Sequence, residues 1–194
     1  MAISIEDIKK LRAMTGAGLA DVKKALTEAD GDFDKAKDLL RERGLAIAAK
    51  RSDRETSNGC VLVKSVDGFA AMVAVKCETD FVAAGKDFVD LVQSILDSAI
   101  AAKAKTIEEV KTLKLANGDD AETAVQHRSG ISGEKMEIDG YNFLEGDNIA
   151  VYDHMGKHTL ATMVQLSANN DEAGHKVAMQ VAAMRPVALD ETSV

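Results

Sequence analysis

The side chains best suited to chemistry in this chain are two cysteines, Cys60 and Cys77, and four histidines, His127, His154, His158 and His175. A metal site needs ligands in close clusters such as CxxC or HxxxH. His154 and His158 are four residues apart, but Gly156 between them marks a turn, so they do not share a helix face. His127 and His175 stand alone in the sequence. Both cysteines lie in strand patterns, where a thiol usually serves as a small hydrophobe. Thr15-Gly16-Ala17-Gly18 lacks the lysine and the spacing of a phosphate loop, and no GxGxxG follows a strand, so the segment reads as a turn. The acid pairs Glu108-Glu109 and Asp119-Asp120 stand in polar segments and read as solvent-facing. No cofactor, metal or catalytic group is expected. An enzyme working through Cys60 or Cys77 stays as an alternative.

The unusual segment is Cys77-Glu78-Thr79-Asp80-Phe81-Val82, which follows a strand pattern and precedes a helical one. Thr79 is a good N-cap, and Asp80 suits a helix N-terminus, where the backbone N–H groups favour negative charge. Phe81 has two readings. If the helix starts at Asp80, Phe81 lies seven residues before Phe88, shares its face and belongs to the core. If the helix starts only after Gly85, residues 80–84 project as a turn, and Phe81 is an exposed aromatic of the kind that anchors interfaces. The pattern alone favours the core.

The elements around that segment fall into two groups. Residues 4–43 read as three short helices. Ser4 with Asp7 forms a capping box, and Ile5, Ile8 and Leu11 share a face. Gly16 and Gly18 make a turn, and Leu19, Val22, Ala25 and Leu26 point inward from a second helix. Asp32 caps a third helix through Phe33, Ala36, Leu39 and Leu40, which Gly44 is placed to end. The stretch from Arg51 to Asn58 is entirely polar and can bury little, so residues 1–50 are expected as a three-helix N-terminal domain, 51–58 as a linker and 59–194 as the body. From Cys60 the period becomes that of strands. Cys60–Lys64 and Phe69–Cys77 are joined by a turn at Asp67-Gly68, and 135–144, 148–154 and 159–166 follow. Helices are expected over 86–104, with Phe88, Val92, Ile95 and Ala99 on one face, in short pieces over 106–129, and over 171–184 before Pro186. The fold class is α+β with a mainly antiparallel sheet.

Charge narrows the partners. Residues 1–54 carry 12 Lys/Arg and 10 Asp/Glu, against 12 and 22 in the remainder. An acidic body is repelled by phosphate backbones, so no direct nucleic-acid binding is expected. The basic end can still meet an acidic protein surface. No apolar run approaches the ~20 residues of a membrane span. The first residues carry acids where a signal peptide needs cations, so a cytoplasmic protein with reduced thiols is expected.

Several separate blocks resemble the elongation factor Ts family of bacteria. They are Leu11-Arg12, Met14-Thr15-Gly16-Ala17-Gly18 and Asp21-Val22-Lys23-Lys24-Ala25-Leu26; then Cys77-Glu78-Thr79-Asp80-Phe81-Val82-Ala83; then Leu144-Glu145-Gly146-Asp147, Tyr152-Asp153-His154 and the run 177–183 before Pro186. The resemblance covers essentially the whole chain. It implies an N-terminal bundle similar to ubiquitin-associated domains, and a non-enzymatic exchange factor that promotes GDP release from elongation factor Tu. In the family the turn matched by Thr79, Asp80, Phe81 and Val82 projects between two helices of that partner and disturbs its Mg²⁺ and phosphate site. This reverses the pattern-based preference for a buried Phe81. Lys23, Gly133 and His154 match further partner-touching positions. Ser132 departs from the family pattern, where an apolar residue is common, and Ala84-Gly85-Lys86 replaces a more polar sequence. Family members also extend well beyond the point matched by residue 194, so a partial chain is expected. The alternative is a helical-bundle module that binds another protein.

Overall fold

The computed structural model describes residues 3–193; Met1, Ala2 and Val194, which the expected domain bounds include, lie outside the described residues. Helix α1, Ile5–Thr15, opens on the capping box: Asp7 N–H donates to Ser4 Oγ at 3.0 Å, and Ser4 N–H donates back to Asp7 Oδ2 at 3.2 Å. It closes at Gly16, whose φ of 68° favours glycine. Helix α2 is Leu19–Glu28 and α3 is Phe33–Ala49, the latter capped by Asp32, which accepts from the N–H groups of Asp34 and Lys35. Leu11, Val22, Ala25, Leu26, Ala36 and Leu40 close a small core of their own.

The sequence places the end of α3 at Gly44, but the helix runs through it to Ala49. Gly44 is buried because α3 crosses another helix there, α7, Ala121–Ser132. The crossing is close: a Cβ added at Gly130 would lie 2.5 Å from Gly44 Cα. Glycine at this point serves the approach of two backbones rather than a helix stop.

Among the described residues the body holds two antiparallel sheets, and the protein is α+β. Strands β1, Asn58–Val66, and β2, Phe69–Cys77, form a hairpin whose turn residues Asp67 and Gly68 both have positive φ, 47° and 74°. Both values suit a two-residue hairpin, whose twist matches the strands. Strand β3, Met136–Glu145, pairs with the other edge of β2, with a bulge at Ala74/Val75. Between β2 and β3 the chain forms a single turn of helix, α4, Asp80–Ala83, then α5, Lys86–Ala102, α6, Ile107–Thr112, and α7. Phe88, Val92, Ile95, Leu96 and Ala99 of α5 bury against Cys60, Val73, Val75 and Cys77 of the sheet. A second hairpin, β4, Ile149–Asp153, with β5, Ala161–Gln165, carries α8, Asp171–Met184, on one side. Val61 N–H donates to His158 O at 2.7 Å and ties the second hairpin's loop to β1.

A braced turn as the candidate functional site

Cys77 ends β2 inside the core, and the chain leaves the sheet at Glu78. Thr79 has extended backbone, and its hydroxyl oxygen accepts from Val82 N–H at 3.3 Å, which starts α4. Ala84 N–H closes the turn on Asp80 O at 2.9 Å. The helix cannot continue, because Gly85 takes up extended backbone, ψ 131°, and becomes the N-cap of α5. Its carbonyl accepts from Phe88 and Val89 N–H. Four residues of helix have almost no stability of their own, since nucleation is costly and propagation has barely begun. Val82 and Ala83 pack against the main core. Phe81 therefore faces outward, 86% exposed, while Phe88 on α5 is fully buried. The pattern-based reading of Phe81 as core fails because the break at Gly85 rotates α4 off the α5 face.

The turn hangs from the end of α7. Gly133 ends that helix with φ 88° and turns the chain so that Glu134 points back at Thr79. Glu134 Oε2 accepts from the N–H groups of Glu78 and Thr79, at 3.1 and 3.0 Å, and Oε1 accepts the Thr79 hydroxyl at 2.6 Å. The exchange is reciprocal, for Glu78 Oε1 accepts Lys135 N–H at 2.6 Å. That backbone donor, with Arg54 as a smaller cause, holds the Glu78 carboxyl below the usual range. Arg54 Nη1 joins the two segments, donating to Glu78 Oε1 at 3.1 Å and to Gly133 O at 3.3 Å. Ser132 accepts Glu134 N–H at 3.1 Å on its hydroxyl. Glu78, Glu134 and Arg54 were not singled out from the sequence. Glu134 follows a helix-ending glycine, but nothing in the sequence pairs it with a residue 55 positions earlier.

The remaining candidates lie elsewhere. Asp80 lines an open cleft of ≈ 750 Å³ between α4, β1 and the 156–159 loop, whose lining does not include Phe81. His154 begins that loop, half-buried, with Nδ1 at 3.1 Å from the Tyr152 hydroxyl. The Tyr152 ring stands edge-on to both His154 and His175. The loop is held by His158, whose N–H and Nδ1 meet Asp153 at 3.2 and 2.5 Å. Lys23 is exposed on α2, which packs against α1 and α3 and contributes nothing to the braced turn. Thus Thr79, Asp80, Phe81, Val82 and Gly133 come together around one turn, while His154 and Lys23 sit on other elements.

The thiols offer little chemistry. Burial, with Asp153 and then Cys77 adding to it, pushes the Cys60 thiol up to about 12. Burial first, then Glu134, pushes Cys77 up to about 11, and its Sγ donates to Thr79 O at 3.2 Å. Among the described residues no three of His, Cys, Asp or Glu gather to hold a metal, and no helix is long and apolar enough to cross a membrane.

The family model described as Elongation factor TS matches residues 78–194. Among curated proteins, elongation factor Ts of Parabacteroides distasonis is 55% identical over 194 residues, covering 100% of this chain and 59% of the relative. That of Bacteroides fragilis is 58% identical over 195 residues, with the same coverage. That of Porphyromonas gingivalis is 47% identical over 190 residues, covering 97% of this chain and 69% of the relative. The chain thus spans about 59% of the length of the first two relatives.

Proposed function

The chain belongs to the elongation factor Ts family, and from that premise we propose that it promotes GDP release from elongation factor Tu by inserting the Asp80-Phe81 turn into the partner's nucleotide domain. The observation that carries this is the placement of Phe81. A large aromatic side chain, 86% exposed, stands on a four-residue helix whose base is bound to the core by charged groups. Leaving that much apolar area in water costs stability and is useful when a partner covers it.

In this reading Phe81 enters between two helices beneath the partner's Mg²⁺ and phosphate site and forces them apart. Asp80 disturbs the polar groups that hold the metal's water shell. Thr79 and Val82 shape the turn, and Gly133, His154 and Lys23 touch the partner at further points. No covalent bond is made or broken, so the protein is an exchange factor and not an enzyme. It holds elongation factor Tu in its GDP-bound and nucleotide-free forms. Binding linkage is reciprocal, so whatever this protein does to loosen GDP, GDP does equally to loosen this protein. Residues 1–50 act as a separate gripping unit seated on α7, with 51–58 as the connection, and the protein works in the cytoplasm without touching nucleic acid.

The test is the release rate of fluorescent GDP from elongation factor Tu with and without this chain. Release should accelerate with the parent protein and accelerate far less with Phe81→Ala at equal fold stability. Equal acceleration by parent and Phe81→Ala would remove Phe81 from the mechanism.

A further inference from the structure

We propose that Glu134 is the positioning residue of the Thr79–Ala84 turn, and that it acts on nucleotide release solely by fixing the direction of Phe81. The inference rests on the functional reading above, but its core can be tested without a partner.

The argument starts from how little else holds α4. A single helical turn gains almost nothing from its own hydrogen bonds. Only Val82 and Ala83 of the turn pack against the core, and Phe81 packs against nothing that buries it. The direction of the Phe81 side chain is then set by the backbone at the base of the turn. There the Glu134 carboxylate takes three donors, Glu78 N–H, Thr79 N–H and the Thr79 hydroxyl, while Asn58 Nδ2 donates to Glu78 O at 2.9 Å just before the turn. The same Thr79 oxygen accepts Val82 N–H, so the Glu134 contact passes directly into the first hydrogen bond of α4. Bonds to an ionised acceptor are stronger than neutral ones. Glu134 is itself fixed at both ends of its backbone: its N–H donates to Ser132 Oγ at 3.1 Å, and its carbonyl accepts the Ser129 hydroxyl at 2.5 Å. A held carboxylate thus transmits the position of the rigid α7 to the base of a turn that cannot hold itself. Binding then does not have to order Phe81 first, which is how preorganisation adds affinity.

Glu134→Ala removes the acceptor. Glu134→Gln keeps one carbonyl oxygen for the two N–H groups and turns an NH₂ donor toward the Thr79 oxygen, which can accept it. In the chain alone, amide hydrogen exchange at Val82, Ala83 and Ala84 should speed up by about tenfold in Glu134→Ala and stay within about threefold of the parent in Glu134→Gln. With elongation factor Tu carrying fluorescent GDP, Glu134→Ala should raise the concentration for half-maximal release by about tenfold and leave the maximal rate nearly unchanged, because a turn once docked is correctly placed. The Glu134→Ala effect should vanish in a Phe81→Ala background, while its effect on the thermal melt persists there. Three results overturn the proposal: unchanged exchange at residues 82–84 in Glu134→Ala, an equal loss of release in both backgrounds, or Glu134→Gln behaving as badly as Ala. If Phe81→Ala itself leaves release untouched, the functional reading fails. The positioning role is then decided by hydrogen exchange alone, with faster exchange upholding it and unchanged exchange rejecting it.

Discussion

Phe81 and Phe88 are the same residue type seven positions apart, a spacing that puts two side chains on one face of an unbroken helix. One is 86% exposed and the other is fully buried. The difference is made by one residue between them: Gly85 leaves helical backbone and caps a new helix. Period therefore decides burial only within an element. Across a break, the geometry of the join decides, and here it turns an aromatic from core filler into a projection. The two regions are also held by different forces. Helix α5 is held by apolar burial along its length, whereas α4 packs only Val82 and Ala83 on the core and is tied at its base by the Glu134 carboxylate, with Arg54 bound to Glu78 just before it.

The largest expected effect tests that contrast directly. Phe88→Ala should cost about 3–5 kcal/mol, the usual loss for emptying a buried aromatic site. Phe81→Ala should stay within about 0.5 kcal/mol of the parent, as surface changes do. A denaturant titration of both variants decides it. Should Phe81→Ala unfold as easily as Phe88→Ala, the two regions are not different in kind and the projecting turn is wrong.

Next in size is the helix that carries the brace. A Cβ at Gly130 would meet Gly44 Cα at 2.5 Å, and a backbone atom cannot step aside as a side chain can. Gly130→Ala should therefore push α7 off α3 and cost about 1–3 kcal/mol, the range for overpacking. It sharpens the comparison because α7 ends at Ser132, two residues before Glu134. A variant that melts like the parent would show that the crossing has slack.

Much of this was legible in the sequence, and the misses share a cause. Local signals were reliable: the Ser4/Asp7 capping box, the Asp67-Gly68 hairpin turn, β2 at Phe69–Cys77 and α8 at Asp171–Met184 stand where the sequence puts them. Each depends on residues close together in the chain. Gly44 misled because a glycine that ends a helix and one that admits a neighbouring backbone look alike until the neighbour is known. Phe81 misled by period, since Gly85 offers a break but does not say whether the helix starts before or after it; the family resemblance favoured the projecting turn. Glu134 was missed for the plainest reason: its partners, Glu78 and Thr79, are 56 and 55 residues away, and only the fold brings them together.

A smaller effect is expected at the cap of α4. Thr79→Ala deletes the acceptor for Val82 N–H and the donor to Glu134. Loss of an N-cap typically costs about 1 kcal/mol. The loss should appear mainly as faster amide exchange within residues 79–84, with only a modest fall in the global unfolding midpoint. A global loss rivalling that of Phe88→Ala would mean that α4 is part of the cooperative core, against the contrast drawn above.

The smallest expected change in stability belongs to a substitution that reads exposure directly. Phe81→Cys places a thiol on the projection, where stability should change by only about 0.5 kcal/mol. The native thiols supply the background. Only the thiolate reacts, and burial raises Cys60 to about 12 and Cys77 to about 11, so at pH 8 neither is appreciably ionised. The sign for stability follows from the same shifts. An unfolded thiol loses its proton near about pH 8.5, while the folded ones keep theirs. The contribution of these two groups is thus complete below about pH 8.5 and is lost as pH rises through the folded values. Labelling with a maleimide at pH 8 therefore meets a fully stable fold with two silent cysteines. The Phe81→Cys thiol should react at the rate of an exposed peptide thiol, and a Phe88→Cys thiol no faster than Cys60 or Cys77. Slow labelling at position 81 would place that side chain inside the protein and erase the difference between the two regions, and with it the wedge. Fast labelling that slows when elongation factor Tu is added would put the partner's surface on Phe81 itself.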